Sequence, residues 1–400
     1  MGASYPPLAT SPGPATRPSP SPLTVVEPIP FQRPQPPPLE RVAPYYAMAE
    51  RERWYANHGP CAQLLRARLE AYVGGGRSCV LVNNGTTALI VALRALVGDR
   101  PAGTEVIVPS FTYIASVSAI RWVGLEPVFV DVAPGHWQLD PDALAAALDR
   151  RAGRVAAVMA CSTFGCAPPA AVRAAWEAAC DRAGVPLVVD SAAGFGARDE
   201  AGAPLGGQGD AETFSFHATK PFAIGEGGAV FTADPELAQR MTRVATFGLD
   251  ERRALVEEPG LNGKLSELHA AVGLAALDDH ERVLAARRDR AAALRRRLDG
   301  LGVAFQDGSE RSTWQFVPAL LPTAAARDAI LAAAPDAGIQ LRTYHEPLHE
   351  FARLRGCPVE GGLAVTDDLA ARIVSLPLAN DTTDAELARI AALVAAAVGG

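Results

Sequence analysis

The sequence predicts an α/β protein: a large domain on a mostly parallel sheet, followed by a smaller C-terminal α/β domain. Three features carry this. From about Cys79, short apolar runs alternate with amphipathic stretches of helical period. A long Ala-, Arg- and Leu-rich helical stretch then occupies residues 265–298, and a shorter second set of strand and helix patterns follows it. Strand, helix, strand at this spacing implies right-handed crossovers and a sheet covered on both faces.

The N-terminus stands apart from this pattern. Of the chain's 33 prolines, 14 lie at or before Pro44, mixed with Ser, Thr and Ala. That composition disfavours helices and ladders, so residues 1–42 are expected to form an extended or disordered arm, a passive extension. Val80-Leu81-Val82 reads as a strand before a helix over 86–96, and 106–108 precedes a helix over 113–123. The pattern repeats with 128–130 before 141–148 and 155–159 before 170–183, then strands at 186–189, 214–216 and 229–232. The 265–298 stretch is expected to break near Asp278-Asp279, which separates a cofactor domain (43–277) from a connecting helix and small domain (278–400). In the latter, strands are expected near 314–321 and 340–344 and a last helix over 384–398.

At 400 residues the chain can bury two substantial cores. Hydrophobic residues at 49% and charged ones at 20% are those of a soluble enzyme, and a net charge of −7 offers no general attraction for nucleic acid or anionic membranes. Six cysteines without C-x-x-C spacing read as reduced thiols. No apolar stretch approaches the ~20 residues that span a bilayer, and nothing N-terminal looks like a signal peptide, so a cytoplasmic location is expected.

Lysine occurs only twice, at Lys220 and Lys264, against 35 arginines. A coding bias toward Arg accounts for most of the depletion and makes the survivors informative. A guanidinium can replace most surface charges, but only a lysine can lose its proton and react as a primary amine. Lys220 ends the run Ser215-Phe216-His217-Ala218-Thr219-Lys220, just before Gly225-Glu226-Gly227-Gly228, and reads as a catalytic amine.

Asn83-Asn84-Gly85-Thr86-Thr87 joins a strand to a helix, where free N–H groups can bind a phosphate. Alone, it is better read as an ordinary N-cap by Asn84 or Thr86. Asp190, at the carboxyl end of Leu187-Val188-Val189-Asp190, could equally cap a helix. The set as a whole reads differently. Pyridoxal phosphate (PLP) needs a lysine amine, a carboxylate for its ring nitrogen, phosphate donors and an aromatic cover, which Tyr113 can supply.

In these residues the chain resembles the DegT/DnrJ/EryC1/StrS family of PLP-dependent nucleotide-sugar aminotransferases, whose fold is the type I fold of aspartate aminotransferase. The matching stretches are Trp54-Tyr55-Ala56-Asn57-His58-Gly59-Pro60, Gly85-Thr86-Thr87-Ala88-Leu89, 109–116, 190–197, 215–228 and 260–267. The resemblance implies that Lys220 carries the cofactor and shuttles protons, while Asp190 pairs with the ring nitrogen and Tyr113 stacks on the ring. It implies that Gly85, Thr86, Thr87 and Ser215 receive the phosphate, with Asn262 reaching in from a neighbouring subunit. A homodimer with shared active sites is therefore expected. Lys264 sits where the family has Arg or Lys beside the partner site, as a substrate-phosphate contact or as a structural ion pair. Tyr55, Asn57, His217, Tyr344 and His345 are further substrate candidates, although a buried, hydrogen-bonded His217 is as good a reading.

The chain departs from the family pattern at two places. Ser191-Ala192-Ala193-Gly194-Phe195-Gly196 stands where the family reads Ala-Ala-Gln-Ala-His-Gly, and Ser162-Thr163-Phe164-Gly165 where it reads His-x-Tyr-Gly. A less polar wall beside the cofactor, formed by Ala193 and Phe195, is expected. Tyr344-His345-Glu346-Pro347-Leu348-His349 holds two histidines and a glutamate, but Pro347 argues against one helical face, and no metal is expected. The implied reaction moves an amino group from glutamate to a nucleotide-linked keto sugar, at C4 of a 4-keto-6-deoxy sugar. Rivals are a cyclitol or aminoglycoside-precursor aminotransferase, a sugar dehydratase, against which Lys220 argues, and a PLP-binding regulator without turnover.

Overall fold

In the computed structural model, residues 27–250, 252–256 and 259–399 are described. Helices α1 (Leu39–Glu52) and α2 (Pro60–Val73) precede the sheet. Then come β1 (Ser78–Val82), α3 (Gly85–Val97), β2 (Glu105–Pro109), α4 (Ile114–Trp122), β3 (Glu126–Val130), α5 (Pro141–Arg150), β4 (Val155–Cys161), α6 (Ala170–Ala183) and β5 (Leu187–Asp190). Strands β6 (Ala211–Ser215) and β7 (Gly228–Thr232) lead to α7 (Pro235–Val244) and the long α8 (Glu267–Leu298). The C-terminal part holds β8 (Val317–Leu320), α9 (Ala324–Ala333), β9 (Val359–Glu360), α10 (Ala364–Arg372), β10 (Ile373–Leu376) and α11 (Asp384–Gly399).

The large sheet runs β1-β7-β6-β5-β4-β2-β3-β9. All neighbours pair in parallel except β7, which is antiparallel to both β1 and β6. Two reversals restore the direction, so β1 runs with β4, β5 and β6, and their carboxyl ends lie at one edge. Register sets Cys161 beside Asp190, Asp190 beside Thr213, and Ser215 beside Gly228. Open α/β sheets keep their sites at such an edge. One face is covered by α3, α4 and α7, with Leu89, Val91 and Leu93 of α3 fully buried, each stabilising by roughly 1.5–3 kcal/mol. The other is covered by α5 and α6 through Leu144, Leu148 and Trp176.

A second core, around Leu294, Val317, Ile330, Val374, Leu387 and Ile390, forms where α8, α9 and α11 cover the antiparallel pair β8–β10. Three expectations are corrected here. Helix α8 is unbroken through Asp278-Asp279, because Arg41, Arg68 and Arg282 neutralise the two carboxylates. The strand expected over 340–344 is reduced to single bridges at Ile339 and Arg342, and Ile373–Leu376 pairs with β8 instead.

The proline-rich arm is the third. Residues 1–26 lie outside the described residues, but those from 27 onward are packed against the C-terminal part and reach α1 at Leu39. Ile29 exchanges backbone hydrogen bonds with Gly338 and Gln340, and Phe31 is buried against Phe316 at 5.3 Å between ring centroids. Prolines leave donors unmade, but a single strand bridge and two apolar anchors do not need them. Pro44 also lies inside α1 as its sixth residue, where it leaves the Glu40 carbonyl without the hydrogen bond an N–H at 44 would make. Among the described residues no helix is long and apolar enough to cross a membrane.

Candidate active site

A cavity of about 600 Å³ opens at the carboxyl edge of the sheet and is lined by Gly85, Thr86, Thr87, Tyr113, Asp190, Ser215, His217, Lys220, Tyr344 and His345. Its floor is set by strand ends. Beyond β1, Asn84 caps α3, its Oδ1 accepting from the Thr87 N–H at 2.8 Å. The N–H groups of Gly85 and Thr86 have no protein partner among the described residues, so the helix start keeps donors for an anion. Glycine is required here: a Cβ on Gly85 would stand 2.7 Å from the Ser215 Cβ. The absent side chain lets α3 abut Ser215, so that backbone donors and the hydroxyls of Thr86, Thr87 and Ser215 converge. The N-cap and the phosphate site are thus compatible, each using different donors.

Asp190 is 4% exposed at the end of β5. Its Oδ2 accepts from the Ser116 hydroxyl at 2.7 Å and its Oδ1 from the Ala192 N–H at 3.1 Å. Burial raises its carboxyl above the ordinary range, while these donors and the Lys220 charge oppose the rise. Ser116 went unrecognised in the sequence, although it lies one helical turn beyond Tyr113, the residue that opens α4.

Lys220 follows β6 on a tight loop. Phe216 pairs with Gly227 and Ile224, Ala218 with Gly225, and Lys220 donates its N–H to the His217 carbonyl at 2.8 Å. Gly225 takes a φ of +94°, which a side chain would resist. The Lys220 Nζ donates to Gln315 Oε1 at 3.2 Å. Its side chain touches the cavity solvent but is otherwise enclosed, and burial lowers its amine from the ordinary lysine value against the pull of Asp190 and Cys161. Nothing in the sequence marked Gln315.

The outer wall is aromatic. His345 stacks on Phe164 at 4.8 Å and 5°, beside Phe316 and Tyr344. Enclosure and the nearby lysine charge hold the His345 imidazole at about 3, hence neutral. His349 turns the other way, bonded to Ser110 at 2.9 Å, so the two histidines do not converge. His217 sits at the mouth, 2.9 Å from Thr219 Oγ1 and 3.6 Å from Glu226, rather than being buried. Of the expected apolar wall only Ala193 lines the cavity, its carbonyl accepting from Thr313. Phe195 points instead into the core among Tyr72, Phe222 and His280.

Tyr55, Asn57, Asn262 and Lys264 are not brought to the cavity of their own chain. Tyr55 is 50% exposed, Asn262 is exposed and accepts from Lys264 Nζ, and that ammonium lies 4.5 Å from the Phe247 ring centre.

The donor set fits PLP: an amine, a buried carboxylate with two donors of its own, and a helix-start cradle that a Cβ would fill. The DegT/DnrJ/EryC1/StrS aminotransferase family model matches residues 40–395. Protein Rv3402c of Mycobacterium tuberculosis is 35% identical over 88% of this chain and 86% of its own. The structure of a putative PLP-dependent aminotransferase from Bacillus cereus is 30% identical, with a TM-score of 0.86 over 92% of this chain and 100% of that one. That of DesI, crystallised in the presence of its TDP-sugar product, is 34% identical, with a TM-score of 0.84 over 93% of each chain. The chain belongs to the DegT/DnrJ/EryC1/StrS aminotransferase family and is a PLP-dependent aminotransferase of the type I fold.

Proposed function

We propose that this aminotransferase moves an amino group from glutamate to a nucleotide-linked keto-deoxysugar, at C4 of a 4-keto-6-deoxy sugar. The observation that carries the reading is the convergence of Lys220, Asp190 and the α3 start on one cavity. The cofactor, when bound, supplies an electron sink that stabilises negative charge on the substrate carbon. The chain's own residues do the rest. Thr86, Thr87, Ser215 and the first N–H groups of α3 hold the phosphate, and Tyr113 covers the ring. Asp190 keeps a proton on the ring nitrogen, its own charge steadied by Ser116. Lys220 takes and returns the substrate proton, a task that its lowered proton affinity favours.

Support for a nucleotide-linked sugar comes from the TDP-sugar product of the DesI relative and from the size of the cavity. Support for C4 comes from the Trp54–Pro60 and Ser215–Lys220 stretches, which resemble the branch making 4-amino-4,6-dideoxy sugars. The functional unit is a homodimer. Trp54, Tyr55, Phe247 and Leu268 are exposed on the same side as Asn262 and Lys264, which do not line their own cavity and on this reading serve the partner's. Incubation with ¹⁵N-glutamate and a panel of nucleotide-linked sugars with ketones at C3 or C4, plus a cyclitol ketone, tests the reading. A ¹⁵N-labelled amine at C4 is expected. Amination only at C3 would refute the position, and amination of only the cyclitol would refute the substrate class.

A further inference from the structure

The N-terminal strap does more than pack. It is fastened on both sides of residue 32: Ile29 and Phe31 are buried, Arg33 pairs with Asp381 at 3.2 Å and with Glu386, and Gln35 accepts from Asn380. These anchors leave Gln32 half-buried, facing the cavity with Lys220 and Gln315. Only a void of about 10 Å³, room for one water, is resolved where the strap meets the lysine loop. The Gln32 amide has no hydrogen-bond partner among the described residues, whereas the side chains of Arg33 and Gln35 beyond it each have one.

We infer that Gln32 is a specificity-determining residue, one that hydrogen-bonds a ring hydroxyl of the sugar substrate. This rests on the proposed sugar reading. The chemistry selects a neutral polyol over a carboxylate. A primary amide both donates and accepts, as a hydroxyl does. A carboxylate is better met by a guanidinium, and the strap carries one next door, yet Arg33 is tied to its two acidic partners and does not line the cavity. Next in sequence to Phe31, which packs on Phe316 and Tyr344, and lining the cavity with both of them, Gln32 reads the sugar and leaves glutamate untouched.

The test compares Gln32→Leu with wild type in the PLP-loaded full chain. The measurements are the glutamate half-reaction, followed spectroscopically, and the KM for the accepted keto sugar and for analogues each lacking one hydroxyl. The KM for the parent sugar should rise about 10-fold, equivalent to about 1.4 kcal/mol, with the glutamate step within about two-fold of wild type. One deoxy analogue should lose about as much in wild type and almost nothing further in the variant, a coupling that mere structural damage would not give. An unchanged KM, equal losses for every analogue, or a glutamate step impaired to the same degree would overturn the inference alone. A wild type that takes nitrogen from glutamate but passes it to no hydroxylated ketone would overturn the sugar reading, and the inference with it.

Discussion

Burial raises the Asp190 carboxyl, and the Ser116 hydroxyl at 2.7 Å works against that rise. A hydrogen bond to a buried charge is worth about 1.5–3 kcal/mol. Replacing Ser116 by Ala should therefore lower turnover about 10-fold or more and move the acid limb of the pH–rate profile upward, since Asp190 then ionises at higher pH. An unmoved limb would show that Ser116 only packs. His280 makes a second, separate case. It is 1% exposed, its Nε2–H donates to the Phe195 carbonyl at 3.2 Å, and burial lowers its imidazole to about 4. The unfolded chain binds a proton below about 6.5 that the native chain refuses. This residue's contribution is thus intact above that value and is lost as pH falls toward 4. Between pH 7.5 and 5 it should remove about 2 kcal/mol of stability, and His280→Gln should abolish that portion of the loss in urea unfolding. Equal acid sensitivity in the two proteins would contradict the assignment.

Among elements, α3 and β6 meet where neither tolerates bulk. Gly85→Ala places a methyl 2.7 Å from the Ser215 Cβ and should force the cradle open at a cost of about 1–3 kcal/mol. Cofactor affinity, measured by fluorescence titration, should fall about 10-fold, while a variant with wild-type affinity would show that the cradle does not hold the phosphate. The alternation that gave away β1 to β4 is local: each of these strands is an apolar run followed by a helical period. The elements that eluded the sequence depend on distant partners. Asp278-Asp279 reads as a break until Arg41 and Arg68, more than 200 residues earlier, neutralise it. Residues 340–344 look as strand-like as 373–376, and only pairing with β8 decides between them. Phe195 matched a polar family position, yet its backbone turns the ring into the Tyr72–Phe222 core.

At the scale of the whole molecule, if the Asn262 and Lys264 side chains, which do not line their own cavity, serve a neighbour's, the chain should need a second copy. Mixing Asn262→Ala chains with Lys220→Ala chains should recover activity in verified heterodimers, in which one site keeps both intact halves. No recovery would argue strongly against shared sites. That the proposed cofactor residues would meet in one cavity was legible because each sits at or just beyond a strand end with a short motif of its own. Gln32, Ser116 and Gln315 were not, because only folding brings the arm, α4 and the loop before β8 against the lysine and its aspartate. The account as a whole turns on the Lys220 amine. Lys220→Arg keeps the positive charge and most of the length but removes the reactive amine. The most direct measurement is the visible absorbance and turnover of this variant reconstituted with PLP. Loss of the lysine-bound chromophore and of nearly all turnover, with the cofactor still bound through the cradle and Asp190, is the predicted result. Turnover near that of wild type would contradict the mechanism.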